Sequence, residues 1–397
     1  MLSGRHALAK LVDEVVPFWI EHGVDREFGG VVTSLDRDGT VLDHDKGVWQ
    51  QFRFVWLLAR CCRVIGSRPE WEEALDRVFD FGRAHAFDTD GRMFFHLDRE
   101  GRPIRRRRYV YSECFASMAF AEVAALRSDP RLAREAGDLL RFARMAMTTP
   151  GSLESKTTSH RQTRSLGNPM IVFGVAQVHR DSIGGEKAED IARSCASEIR
   201  RDFVRPELEA VLEVVSSTGE VVDHLEGRQL NPGHAFEGAW FMLVEARRHE
   251  DPELLQAGID MLEWSWKRGW DPVHGGILNF VDLHGGPTAA YEHDMKFWWP
   301  QCEAILAARH AHAMTGAPRY REIAEQVETW AMEHFDDPVH PEWFGYLHRD
   351  GSRSSRVKGN LWKGPFHLPR MLLSIAILDG TFDPPVPDDS PLPEEDA

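Results

Sequence analysis

Two histidines in this chain open apolar stretches and have charged company close by. The segment Glu226–Glu237 carries Arg228, Asn231, His234 and Glu237 into a hydrophobic run. His234 and Glu237 are three residues apart, on one helical face, a spacing that suits a proton-transferring imidazole with a carboxylate to orient or charge it. The same pair is half a metal site, and a helix-start histidine often only caps backbone. Arg228 and Asn231 beside it weigh against simple capping. The second histidine, His367, stands between Lys363 and Arg370 where the last helix should begin, so it could reach the same cleft. A third segment, 292–303, sets Lys296, Trp298, Trp299 and Glu303 together. Paired tryptophans are often core, but aromatic faces beside charged hydrogen-bonders also suit a sugar. Arg53 lies among apolar residues after Trp49, and a buried guanidinium must be paired or hold an anion. Tyr111 opens a further helix, where capping is the plain alternative.

These clusters need a scaffold that brings them together, and an internal period supplies one. Alternating segments ending in a glycine turn recur at 29–39, 91–101, 209–219, 275–285 and 343–351. Their starts are roughly 60 to 70 residues apart, with one doubled gap. The missing unit falls near 150–168, which is polar and turn-like. Helical stretches at 48–59, 112–123, 234–244 and 299–308 lie between them. Each unit has room for two helices and a hairpin. Six units make an all-α toroid, an (α/α)6 barrel with short β-hairpins at one end. The inner helices should be apolar nearly all round and should all start at the hairpin end, which gathers the polar clusters in one cleft. One domain over 1–380 follows, with an acidic, Pro-rich tail at 381–397.

Composition narrows the function classes. The formal net charge of −16 disfavours a nucleic-acid partner, so the run Arg105–Arg108 reads as a solvated edge or loop. Five cysteines without a CxxC pair exclude a disulfide scaffold and a structural zinc site, and fit a reduced cytoplasmic protein. No apolar run reaches the ~18 residues of a membrane span; the N-terminal stretch 8–19 is an amphipathic helix. No dinucleotide or phosphate-loop fingerprint occurs, and nothing implies a metal or other cofactor.

In this order the motifs resemble the N-acylglucosamine 2-epimerase family, which includes renin-binding protein, and more distantly cellobiose 2-epimerases and mannose isomerases. The resemblance spans about Val16 to Leu373. It is carried by Gly29–Gly39, Val48–Trp56 with Arg53, Tyr111–Phe115, Gly227–Glu237, Gly269–Gly276, Lys296–Pro300, Glu342–Leu347 and Phe366–Arg370. It implies the (α/α)6 fold and inversion at C2 of a reducing sugar, through the open chain and an enediolate. By resemblance His234 and His367 are the two acid/base groups, Glu237 and Glu303 orient and charge them, and Arg53 stabilises the enediolate oxygen. Tyr111, Asn168, Arg228, Asn231, Lys296, Trp298, Trp299 and Trp362 would shape the sugar site. Two departures stand out: Pro365 replaces the usual Cys before Phe366-His367, and the segment around Pro169-Met170 differs. They open an unmodified mannose or glucose as the alternative to an N-acylated sugar. An aldose–ketose isomerase on the same scaffold is the alternative reaction; a two-carboxylate glycosidase and a pure binding protein fit the charged set less well. A small reducing sugar is the expected partner, with no nucleic acid and no membrane, and a homodimer stays open.

Overall fold

The computed structural model describes residues 1–107, 109–149, 151–153 and 158–382. Arg108, residues 154–157 of the variant segment and residues 383–397 of the expected tail lie outside the described residues. An N-terminal helix, α1, runs through Gly4–Ala9, Lys10–Val15, Val16–Phe18 and Trp19–Gly23, with π-helical geometry in its second and fourth parts. Eleven longer or comparable helices follow: α2 (Val48–Val64), α3 (Pro69–His85), α4 (Tyr111–Arg127), α5 (Pro130–Thr148), α6 (Gly167–Ile183) and α7 (Glu186–Asp202). The series ends with α8 (Pro232–His249), α9 (Pro252–Gly269), α10 (Trp298–Thr315), α11 (Pro318–Phe335) and α12 (His367–Leu378).

Even-numbered helices form the inner ring: each packs on the next, and α12 touches α2 to close the circle. Odd-numbered helices cover them, with α1 lying on α12. Sequence decides which ring a helix joins. In α2, fifteen of seventeen residues are buried, because apolar side chains run round its whole circumference. In α3 only seven of seventeen are buried, along one stripe. The inner-to-outer turns are written in local chemistry. Ser128 takes a left-handed conformation at the end of α4, Asp129 caps the backbone of Arg131 and Leu132, and Pro130 begins α5. Glu250, Asp251 and Pro252 repeat the device between α8 and α9.

Short strands sit where the inner helices begin. Lys46–Gly47, leading into α2, pairs antiparallel with His96–Leu97. Thr163–Ser165, leading into α6, pairs with Val214–Ser216. Gln229–Leu230 and Lys296–Phe297, leading into α8 and α10, pair with Val281–Asp282 and Tyr346–Leu347. Each lead-in strand is thus held by the hairpin of the following unit, which sets the inner-helix starts at one end of the ring. The polar segment at 150–168, where a hairpin seemed missing, supplies one of these strands.

Buried lysines brace the same end. Lys46 Nζ donates to Asp25 Oδ2 at 3.1 Å and to the Gly29 carbonyl at 2.7 Å. Lys296 Nζ donates to Asp271 Oδ2 at 3.0 Å and to the Gly275 carbonyl at 2.6 Å. Lys358 pairs with Asp337 at 2.9 Å and donates to the Glu342 carbonyl at 2.6 Å. An arginine from a neighbouring hairpin, Arg99, Arg349 or Arg37, completes each clamp on the aspartate. All five cysteines are buried and unpaired. Among the described residues no helix is long and apolar enough to cross a membrane.

Candidate active site

The inner helices begin around a cavity of about 710 Å³. Its walls include Trp49 and Arg53 of α2, Tyr111 and Phe115 of α4, His234 and Glu237 of α8, and Trp298 and Trp299 of α10; Trp362, Phe366 and His367 close the circle. Both histidines therefore reach one space, from helices α8 and α12.

His234 is held by a residue from a neighbouring hairpin. Its Nδ1 lies 2.9 Å from Glu213 Oε2, and Glu213 Oε1 accepts from Ser165 Oγ at 3.0 Å. The pairing of Ser165 with Val214 positions both partners. With Nδ1 donating to Glu213, Nε2 is the nitrogen left to exchange a proton. Burial acts to lower the pKa of His234, but the Glu213 charge and hydrogen bond, with Glu237 and Glu303 adding, leave it raised above 6.5.

His367 sits in a different field. Its Nδ1 lies 2.8 Å from Glu303 Oε1, which also accepts from Arg370 Nη2 at 2.7 Å. Arg370 Nη2 donates at 2.6 Å to Glu237 Oε1, and Trp240 Nε1 donates at 2.8 Å to Glu303 Oε2. Burial, then the Arg370 charge, pushes His367 well below the usual histidine pKa; Arg53 and His234 act the same way, against Glu237. The pair is thus split in direction, His367 towards the neutral form and His234 towards the protonated one, the division a base and an acid require.

The Trp299 ring touches both imidazoles, with centroid distances of 5.3 Å to His234 and 5.7 Å to His367. It seats on Gly233, where a Cβ would come within 2.5 Å of the indole. Arg53 is caged by Trp49, Phe115 and Phe366, whose ring centroids lie 4.5, 4.1 and 4.5 Å from its guanidinium carbon. Its buried Nε has no hydrogen-bond partner among the described residues. Burial pulls its pKa down to about 9, against the pull of Glu237, which leaves a cation at neutral pH. A cation with spare donors in an aromatic cage can receive negative charge developing on an oxygen. Glu237, Glu303 and His367 also bring ligand atoms within 4.8 Å of one another; the positive group placed among them is the Arg370 guanidinium.

The expected residues divide. Arg53, Tyr111, His234, Glu237, Trp298, Trp299, Trp362 and His367 line the cavity, and Glu303 lies behind His367. Glu237 does not orient His234 as its spacing suggests; its carboxylate goes to Arg370 instead. Asn231 caps α8, accepting from the His234 backbone at 3.2 Å, and is absent from the cavity wall. Arg228 faces Asp223 and Asp282 at 3.5 Å. Asn168 lines a separate groove, beside Arg164 and Asp202. Lys296 is the clearest correction: its ammonium is fully buried in the Asp271 clamp, because the hairpin carbonyls there need a donor more than the cavity does. Lys296→Met should cost about 3 kcal/mol of stability, as the loss of one partner from a buried pair does. Thermal unfolding should show that loss while the KM for sugar is retained below the midpoint; a raised KM with unchanged stability would return Lys296 to the site.

Sequence reasoning missed Glu213 and gave Arg370 no role. Glu213 sits in the 209–219 hairpin, read from sequence only as scaffold and 21 residues from His234, so only strand pairing reveals its role. Arg370 was three residues from His367, a helical spacing that pointed inward.

A smaller cavity of about 320 Å³ lies on the far side of Glu237 and Arg370, between the later turns of the inner helices. It shares Phe115, Ile171, Glu237 and Phe366 with the first.

The family model described as N-acylglucosamine 2-epimerase (GlcNAc 2-epimerase) matches residues 29–368. The N-acylglucosamine 2-epimerase of Bos taurus is 36% identical over 93% of this chain and 89% of that protein. Among solved structures, the cellobiose 2-epimerase of Bacillus thermoamylovorans B4167 superposes with a TM-score of 0.83 at 17% identity, covering 94% of this chain and 98% of that one. A D-mannose isomerase superposes with a TM-score of 0.79 at 18% identity, covering 94% and 97%. These two share the fold.

Proposed function

The chain belongs to the N-acylglucosamine 2-epimerase family, and on that premise we propose that it inverts C2 of an N-acylated hexosamine, between the gluco and manno forms. One observation carries the reading. Two histidines line one cavity, each hydrogen-bonded through Nδ1 to a carboxylate, with pKa values displaced in opposite directions. Inversion needs a proton taken from one face of C2 and another delivered to the opposite face. Only the open chain, with its C1 aldehyde, makes the C2 proton acidic enough to remove.

In the sequence of events that follows, neutral His367 Nε2 takes the proton from C2. Charge moves onto the C1 oxygen, where Arg53 meets it. His234, protonated, delivers to the other face. The reverse reaction exchanges the two roles. Trp299, in contact with both rings, holds their spacing while the sugar carbon becomes planar.

An aldose–ketose isomerase needs one base to carry a proton between C2 and C1, and the second histidine would then stand idle. The test is N-acetylmannosamine or mannose in deuterated water, followed by NMR. The C2 epimer bearing deuterium at C2 is the expected product. A ketose as the sole product would establish the isomerase instead.

A further inference from the structure

The smaller cavity behind Glu237 and Arg370 lies apart from both imidazoles, yet it has the makings of a binding site. It fills the bore of the barrel where the inner helices end, walled by Trp56, Met118, Val175, Trp240, Phe241 and Leu373. Arg247 and Ala313 also line it and are exposed, so it opens to solvent at that end. An apolar cavity of ~150 Å³ takes benzene. At about 320 Å³ this one has space for a ring and a short chain.

Most charge around the cavity already has its counterpart. Glu122 pairs with Arg63 at 2.6 Å and with Arg60 at 3.4 Å, Asp181 with Arg180 at 3.2 Å, and Glu237 with Arg370 at 2.6 Å. Arg247, in the last turn of α8, has no ion pair among the described residues. Alone, it would do no more than complement the helix dipole. His310 of α10 adds a second observation. Its imidazole is only 7% exposed, lines the cavity and stacks on Trp240 at 5.7 Å. It makes no hydrogen bond among the described residues. Burial, then the Arg247 charge, pushes its pKa down to about 3, so the ring is neutral. The Arg247 guanidinium therefore bears on a buried ring whose N–H has no acceptor. Between a cation without a counter-charge and a donor without an acceptor, the missing partner is an anion.

We propose that this cavity is a second ligand site, for a small organic monocarboxylate with its carboxylate between Arg247 and His310 and its apolar body against Trp56, Trp240 and Leu373. Such a ligand is neither substrate nor product of C2 inversion, and its binding does not depend on that reaction.

Ligand-observed NMR titration with 3-phenylpropionate tests the site, with 3-phenylpropanol as the uncharged counterpart and acetate as the head without a body. 3-Phenylpropionate should bind, and each control should bind about ten-fold more weakly or worse, the worth of a charge-assisted hydrogen bond or of a buried ring. Arg247→Ala changes an exposed position with no ion pair to lose, so the fold should persist. It should weaken 3-phenylpropionate about ten-fold and leave the alcohol unaffected. Arg53→Met is the control for the larger cavity, which also offers a cation among aromatic rings, and should leave the binding intact. Binding that is lost in Arg53→Met and kept in Arg247→Ala would put the carboxylate in the larger cavity and overturn the inference. Equal binding of acid and alcohol, or no binding of any probe, would overturn it as well. The comparison of acid with alcohol uses the wild type alone, so it holds whatever the variants do.

Discussion

His367→Ala and His234→Ala should each lower C2 inversion by about 10²- to 10⁴-fold, the usual worth of a positioned acid or base. The two variants should differ in what they keep. With His234 removed, His367 can still take and return a proton on its own face, so one epimer should exchange with solvent and keep its configuration. With His367 removed, the surviving face belongs to the other epimer. Deuterium NMR on each sugar separately reads this directly. Undiminished inversion in either variant would show that its histidine does not transfer the proton. The pH profile follows from the same asymmetry. The productive pair carries one proton, whichever direction the reaction runs, so both directions share two apparent pKa values. The acid limb, where His367 gains a proton, should lie below the ordinary histidine pKa because burial and the Arg370 charge oppose that gain. The alkaline limb, where His234 loses its proton, should lie above it because of Glu213. The two limbs should thus lie on opposite sides of the ordinary histidine pKa, and Glu213→Gln should draw the alkaline limb downward. An alkaline limb that stays put in that variant would sever Glu213 from the chemistry.

Arg53→Met should cost about 10²- to 10³-fold, as the loss of a preorganised oxyanion donor does. Here exchange and inversion should fall together, in contrast to the single-histidine variants, because the enediolate itself forms less readily. Arg53→Lys should rescue little: the aromatic cage holds a flat guanidinium, and an ammonium is a compact, strongly hydrated charge. Exchange that persists at the wild-type rate in Arg53→Met would place the anion elsewhere.

The sequence carried more of the fold than of the site. Helices α2, α4, α8 and α10 were legible because apolar residues run round them, and the glycine turns at Gly39, Gly101 and Gly285 marked the hairpins between. Both histidines and Arg53 were legible because each breaks an apolar helix with a group that burial does not tolerate idle. What failed was pairing. His234 and Glu237 share a helical face, but a carboxylate that meets Arg370 at 2.6 Å across the barrel has no cause to turn back to its neighbour. The partner of His234 came instead from Glu213, placed by strand register, which local spacing does not encode. Lys296 was misread for a related reason. A lysine beside two tryptophans looks like a sugar ligand until Lys46, also just ahead of an inner helix, is set beside it. Asp25 with Gly29-Gly30 and Asp271 with Gly275-Gly276 precede the two lysines in the same way, so the internal comparison was available in the sequence.

The layer of Glu237, Arg370 and Glu303 has one more consequence. It is a partition with a room on either side, and His367, the proposed base, leans on it from the front. Burial first, and then a guanidinium, holds the His367 pKa low, and that guanidinium also packs on Trp240, which lines the rear room alone, and on Phe366, which lines both. Reshaping that rear room would retune the base without any atom touching the sugar. Selection on this enzyme therefore has a second dial, in the room behind the two histidines.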